Sequence, residues 1–299
     1  MKLSKSVIRL SWLIVALSLI SSGIGLFWQD GGSPFTFTTL RGETVQLYGQ
    51  GIYRNETFMN GSGFKGTDAF ILLLAIPLLI ASTLFYQRGS LRGGLVLMGT
   101  LAYFLYNAAH QALSYAYNNL FLIYVALFGA SFFAFVLISS SFDRLDLASR
   151  FSSRLPRRTI AIFLFTVGTS LFIVWGVMSV LLALLQGKTP AELASSTTLV
   201  THAIDVGILV PTSFLAGILL LRQAPLGYLL ASMMVIASWT IGGAVLALSL
   251  GQIFAGVLTG LQVAVFVAPF VILTLVGIWL TVFLFRDFSE PAPWRTVYA

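Results

Sequence analysis

Few side chains inside the apolar stretches of this chain can do acid–base or ligand chemistry: Asp68, His110, His202 and Asp205, with Arg9 near the start of the first stretch. Ionisable groups are costly in hydrocarbon and are functional candidates there by default. Their neighbours recur at helical spacing. Tyr103, Asn107 and His110 stand at i, i+4 and i+7, one narrow stripe of a helix, with Tyr106 and Gln111 beside it. Thr198, His202 and Asp205 repeat that spacing further along, and Asn118 and Asn119 open the apolar stretch that follows the first stripe. Asp68, Tyr103, Tyr106, Asn107, His110, Asn118, His202 and Asp205 are therefore the expected ligand-binding set, a polar pocket near the outer ends of their helices.

Such a layer supports three chemistries. Tyrosine, asparagine and histidine in an apolar wall suit a small polar or amphipathic molecule, bound or passed onward. Two histidines and two carboxylates are also the types a metal-assisted or acid–base enzyme uses at an outer leaflet. No HExxH or comparably dense ligand motif accompanies them, so no metal site is expected and no cofactor is readable. His202-x-x-Asp205 equally suits a carboxylate orienting an imidazole. The third reading is an accessory membrane subunit without a ligand, in which Asp68 and Asn118 cap helices and the histidines bond between helices.

Several motifs lead nowhere. Gly61-Ser62-Gly63-Phe64-Lys65-Gly66 spells GxGxxG but feeds an apolar segment and not a βαβ unit. Its glycines suggest a flexible hinge. Gly187-Lys188-Thr189 lacks the upstream glycine of a phosphate loop, that place being Leu182. Lysine occurs only at 2, 5, 65 and 188, outside the apolar runs, which argues against a buried Schiff base.

The elements that must position these residues follow from composition. The 299 residues are 58% hydrophobic and 9% charged, against roughly 25% charged in soluble domains, so the chain reads as an all-α integral membrane protein. Stretches long enough for ~20-residue crossings fall at 7–28, 68–86, 92–113, 118–141, 159–186, 198–222, 226–250 and 253–286, eight helices in one polytopic domain. The first resembles a signal peptide in its basic start but lacks a small-x-small cleavage site, and reads as a retained anchor. With both termini on one side, thirteen of the seventeen basic residues share that side, which the positive-inside rule makes cytoplasmic, in a plasma membrane. The same rule accounts for the net charge of +7 without nucleic acid. Membrane lipids are the expected partners, with a small-molecule ligand for the pocket. Zero cysteines remove disulfides, thiolate metal sites and thiol redox chemistry.

Between the crossings, residues 29–66 are the one sizeable outer piece, and their alternating run around Arg41-Gly42 predicts a β-hairpin lid. Thr189-Pro190-Ala191-Glu192 predicts the start of a short interfacial helix. The interleaved Phe142, Leu145, Phe151, Leu155 and five arginines of 142–158 read as a basic amphipathic segment lying on headgroups. Asp68, Pro77, Arg88 and Gly93 recur in order as Asp205, Pro211, Arg222 and Gly227, the last three with equal spacing. This suggests a parallel 4+4 repeat with halves at 1–141 and 159–290, a plan that usually encloses a site between the halves.

Overall fold

The structure is a computed structural model that describes residues 3–142 and 147–290; the side chains of 264–266 are outside the description. Eight long helices dominate it: α1 (Lys5–Phe27), α2 (Phe58–Gln87), α3 (Leu91–Leu113), α4 (Phe121–Ser140), α5 (Arg157–Leu185), α6 (Val200–Leu221), α7 (Pro225–Phe254) and α8 (Leu261–Arg286). Seven are long and apolar enough to cross a membrane. The exception, α3, has crossing length but carries Tyr103, Tyr106, Asn107, His110 and Gln111. It can hold them because it is interior, packed against α2, α4 and α7.

Around α3 the helices form two groups of four, α1 to α4 and α5 to α8, joined chiefly through α7. Helix α7 lies against α3 on one side and α6 on the other, and its later half lies along the first turns of α2. By contrast α3 and α6 meet mainly at Val200–Ile204. They flank a seam backed by α7.

Helix α2 begins ten residues before the predicted Asp68, so residues 58–66 are helix and not lid. The segment FMNGSGFKGT is poor in helix formers, and tertiary packing overrides propensity. A Cβ on Gly61 would meet the Tyr48 ring at 2.5 Å, on Gly63 the Leu248 side chain at 2.8 Å, and on Gly66 the Ala247 carbonyl oxygen at 1.9 Å. From the α7 side, a Cβ on Gly251 would meet the Ser62 carbonyl oxygen at 2.4 Å. The GxGxxG glycines are thus a close-packing face, not a hinge.

Three helices widen into i→i+5 turns: Ile71–Ala75 in α2, Phe172–Leu181 in α5 and Asp205–Leu209 in α6. Two of them sit just ahead of Pro77 and Pro211, where the missing N–H and the ring's clash with the preceding turn make the wider turn the cheaper geometry. The backbone N–H of Ile76 reaches Ile71 O, and that of Val210 reaches Asp205 O.

At one end, the lid end, β1 (Phe35–Thr38) and β2 (Thr44–Leu47) form the expected antiparallel hairpin, with Gly42 at φ +83° in its turn. Asp30 Oδ1 accepts from the Gly51 and Gly32 amides at 2.9 and 3.1 Å, which holds its carboxyl below the ordinary range. The buried Glu56 carboxylate accepts from the Ala116 amide at 2.7 Å, tying the lid to the α3–α4 loop. Burial pushes the Glu56 carboxyl up to about 7. The hairpin tip reaches the α5–α6 loop, where the Arg41 guanidinium donates to the Ser196 and Ala194 carbonyls. That loop holds a single 3₁₀ turn, Ala191–Leu193, in place of the predicted helix, because Ala194 turns to φ +41°.

The opposite end carries both described termini. Ser4 N–H donates to the Tyr86 hydroxyl at 3.1 Å, and Glu290 caps α3 through the Leu91 and Arg92 amides at 3.0 Å. Described apolar residues of the segment 142–158 pack on the protein. Phe142, Phe151 and Leu155 are buried, and Phe151 stacks on Tyr228 at 5.1 Å and meets Phe288 edge-on. Within it, Asp143, Arg144, Leu145 and Asp146 lie outside the described residues.

Candidate functional site

The polar layer resolves into two neighbouring carboxylate sites linked through α3. The first is centred on Asp68, 1% exposed, whose Oδ2 accepts from the Tyr53 hydroxyl at 2.6 Å. Tyr53 belongs to the lid, in the 3₁₀ turn Gly51–Tyr53, and burial beside that carboxylate drives its own ionisation far up. Aromatic rings enclose the pair: Phe64 and Tyr115 stack at 4.0 Å, and Tyr115 meets Tyr53 and Tyr124 edge-on at 5.9 and 5.8 Å. The enclosure closes from α1 because Gly25 has no side chain. A Cβ there would lie 2.1 Å from Asp68 Oδ2.

The second site is centred on Asp205, 3% exposed, at the start of the widened turn of α6. Its carboxylate is approached by the Tyr106 hydroxyl of α3 and the Trp175 indole N–H of α5. Its Oδ1 is buried without a hydrogen-bond partner among the described residues. Each of the two donor rings is backed by a histidine. Trp175 lies 4.4 Å from the His202 ring and Tyr106 lies 4.3 Å from the His110 ring.

The histidines are fixed by hydrogen bonds of different kinds. His110 Nδ1 is 2.8 Å from the Tyr106 carbonyl, a pure acceptor, so Nδ1 carries the proton and Nε2 keeps its lone pair. That Nε2 is buried with no partner among the described residues. His202 Nε2 lies 3.0 Å from Ser179 Oγ, whose own proton goes to Glu192 Oε2 at 2.7 Å. Ser179 therefore accepts from the imidazole. The order Glu192, Ser179, His202 is a relay from the α5–α6 loop inward and not a nucleophile with its base, which would send the serine proton to histidine.

The structure brings Tyr106, His110, His202 and Asp205 of the expected set to one site. It places Asp68 in the adjoining cage, with the Tyr103 ring, 1% exposed, between the two levels. Asn107 is buried on the same α3 stripe. Asn118 lies beside Tyr124 at the rim of the Asp68 cage, where its Oδ1 accepts from Leu120 N–H at 2.9 Å in an Asx turn that starts α4 at Phe121. Trp175, Ser179, Glu192 and Tyr53 complete the sites and were not in the expected set. The i, i+4 spacing of Trp175 and Ser179 was the only legible signal among them. Trp12, exposed on α1, and Trp239, against Gly277 of α8, lie elsewhere.

Among the described residues no three histidine, aspartate or glutamate side chains converge as metal ligands. Two hollows lie away from this layer. One, of about 230 Å³, is at the terminal end between Leu155, Pro156 and 283–287, and the other is a shallow groove along α5. Neither hollow opens on the polar layer.

No family model matches the chain, and no match was found among curated proteins or solved structures.

Proposed function

We propose that the chain is an eight-crossing plasma-membrane protein with cytoplasmic termini, which binds or passes a small polar or lipid-like molecule at the seam between α3 and α6, beneath an extracytoplasmic lid. The observation that carries this reading is the meeting of two widened turns at one buried polar group. Trp175 and Ser179 lie in the widened turn of α5 and Asp205 begins that of α6. Widened turns inside helices concentrate at functional sites because they spend regular hydrogen bonding to aim a side chain. Here three such residues aim at one place, from two helices, against a third helix that barely touches α6 below Ile204.

The recurrence of elements that suggests an internal duplication agrees with the same reading. Ile71, Pro77, Arg88 and Gly93 each find a structural counterpart 134 residues later in Asp205, Pro211, Arg222 and Gly227. The turns after α2 and α6 use matching backbone bonds, Ser90 N–H to Phe85 O and Ala224 N–H to Leu219 O. Gly93 and Gly227 then pack on the helix eight residues back. On this alignment His202, not Asp205, is the counterpart of Asp68. The counterpart of the tight α2–α7 packing is α6 against α3, and that contact is slight, which makes it the place where two parallel halves part around a ligand.

Single thiols introduced into this cysteine-free chain test the proposal. A cysteine replacing Asn107 is expected to react with a small cationic methanethiosulfonate added from the lid side, while one replacing the lipid-facing Ile208 stays inert. An unreactive Asn107→Cys thiol in folded protein overturns the seam.

A further inference from the structure

The seam holds a carboxylate that no described residue neutralises. Among the described residues Asp205 forms no ion pair, and the groups that approach it, a phenol and an indole, are neutral donors. Both lie close to the carboxylate and leave its charge in place. The remaining acceptor, Oδ1, is buried and free. A buried carboxylate without a counter-ion is strongly unfavourable, so a complete site needs a positive group from outside or a bound proton.

The surroundings select among positive groups. A divalent metal would call for several oxygen or nitrogen ligands, and no such set converges here. An anion would be repelled, and a neutral molecule would leave the charge unanswered. An ammonium group has one charge, suits a single carboxylate oxygen, and tolerates aromatic walls because ring faces attract cations. Trp175, Tyr106 and the two imidazoles behind them supply those rings. We infer that the molecule taken up by the α3–α6 seam is an organic cation, an amine or quaternary ammonium compound seated on the free Oδ1 of Asp205. This rests on the seam being a binding site and adds the chemistry of what enters it.

Equilibrium dialysis and tryptophan fluorescence of the purified full chain test the charge, using choline and butylammonium as probes. The neutral isostere of choline, 3,3-dimethylbutanol, and the anionic 3,3-dimethylbutanoate serve as comparisons. Saturable binding of an ammonium probe is expected, at least about tenfold tighter than 3,3-dimethylbutanol. Asp205→Asn should abolish that preference and Trp175→Leu should weaken it, with Asp287→Asn at the far end without effect. Should Asp205→Asn fail to fold, Tyr106→Phe, which removes one hydroxyl, must still change the affinity of the ammonium probe. Equal binding of the isosteric pair, or binding untouched by Asp205→Asn in folded protein, overturns the cation and leaves the seam standing. No saturable binding of any probe, together with an inert Asn107→Cys thiol, overturns both.

Discussion

At the scale of single residues, Gly25 shows how closely the Asp68 cage is built. Its missing Cβ makes room for both Asp68 Oδ2 and the Tyr53 hydroxyl. Gly25→Ala forces those atoms apart, and a loss of about 1–3 kcal/mol is expected. Gly23→Ala, two residues away with nothing within 4 Å, should be neutral; thermal unfolding in detergent compares the two. Glu56 gives a second test, through pH. Its carboxyl rises from an ordinary 4.5 to about 7 because burial disfavours the charge, only partly offset by the Ala116 amide. A folded value above the unfolded one means that its contribution is fully present below about 4.5 and is lost as pH climbs through about 7. The lid should therefore be held less firmly at pH 8 than at pH 5, seen as faster proteolysis of residues 29–57. Glu56→Gln should flatten that dependence.

Legibility at this scale tracked sequence locality. His110 with Tyr106, and His202 with Asp205, are helical neighbours, and their periodicity was visible. Tyr53 pairs with Asp68 from a loop, and Glu192 reaches Ser179 from another. Those partnerships exist only after the chain has folded. Asn118 shows the opposite case, since a capping asparagine and a ligand-binding one look alike in sequence and the turn becomes visible only in the fold.

Elements were read well where apolar length decided them and poorly where packing did. The predicted stretches 7–28, 92–113, 118–141, 159–186 and 198–222 appear as helices within three residues of their bounds, whereas α2 starts at Phe58, α7 runs on to Phe254 and α8 starts only at Leu261. The glycine-rich start of α2 looked like a loop because propensity is local, whereas its stability comes from α7. This yields an expectation at the level of the pair of helices. Gly66→Ala puts a methyl against the Ala247 carbonyl and must separate α2 from α7, with a loss of about 2 kcal/mol or more. Gly207→Ala, inside the widened turn of α6 with open space around it, should stay within about 0.5 kcal/mol of the parent. Comparable losses for the two would mean that the α2–α7 seam is not the tight joint described. The basic segment 142–158 illustrates the reverse case. Phenylalanine and leucine among arginines suit a membrane surface, and Tyr228 and Phe288 offer Phe151 a protein surface as well.

For the whole molecule, the proposed topology places the lid outside. A cysteine at Leu40, 97% exposed at the hairpin tip, is expected to react with an impermeant thiol reagent on intact cells. One at Ser153 should react only after permeabilisation, and the reverse pattern would invert the topology. The central claim concerns the seam itself, and a high-resolution density map of the protein purified in native lipid bears on it most directly. Non-protein density between α3 and α6, touching Asp205 Oδ1 and bordered by Tyr106 and Trp175, is the result this account expects. A map in which α3 closes against α6 along its length, with both Asp205 oxygens satisfied by protein side chains, would contradict it.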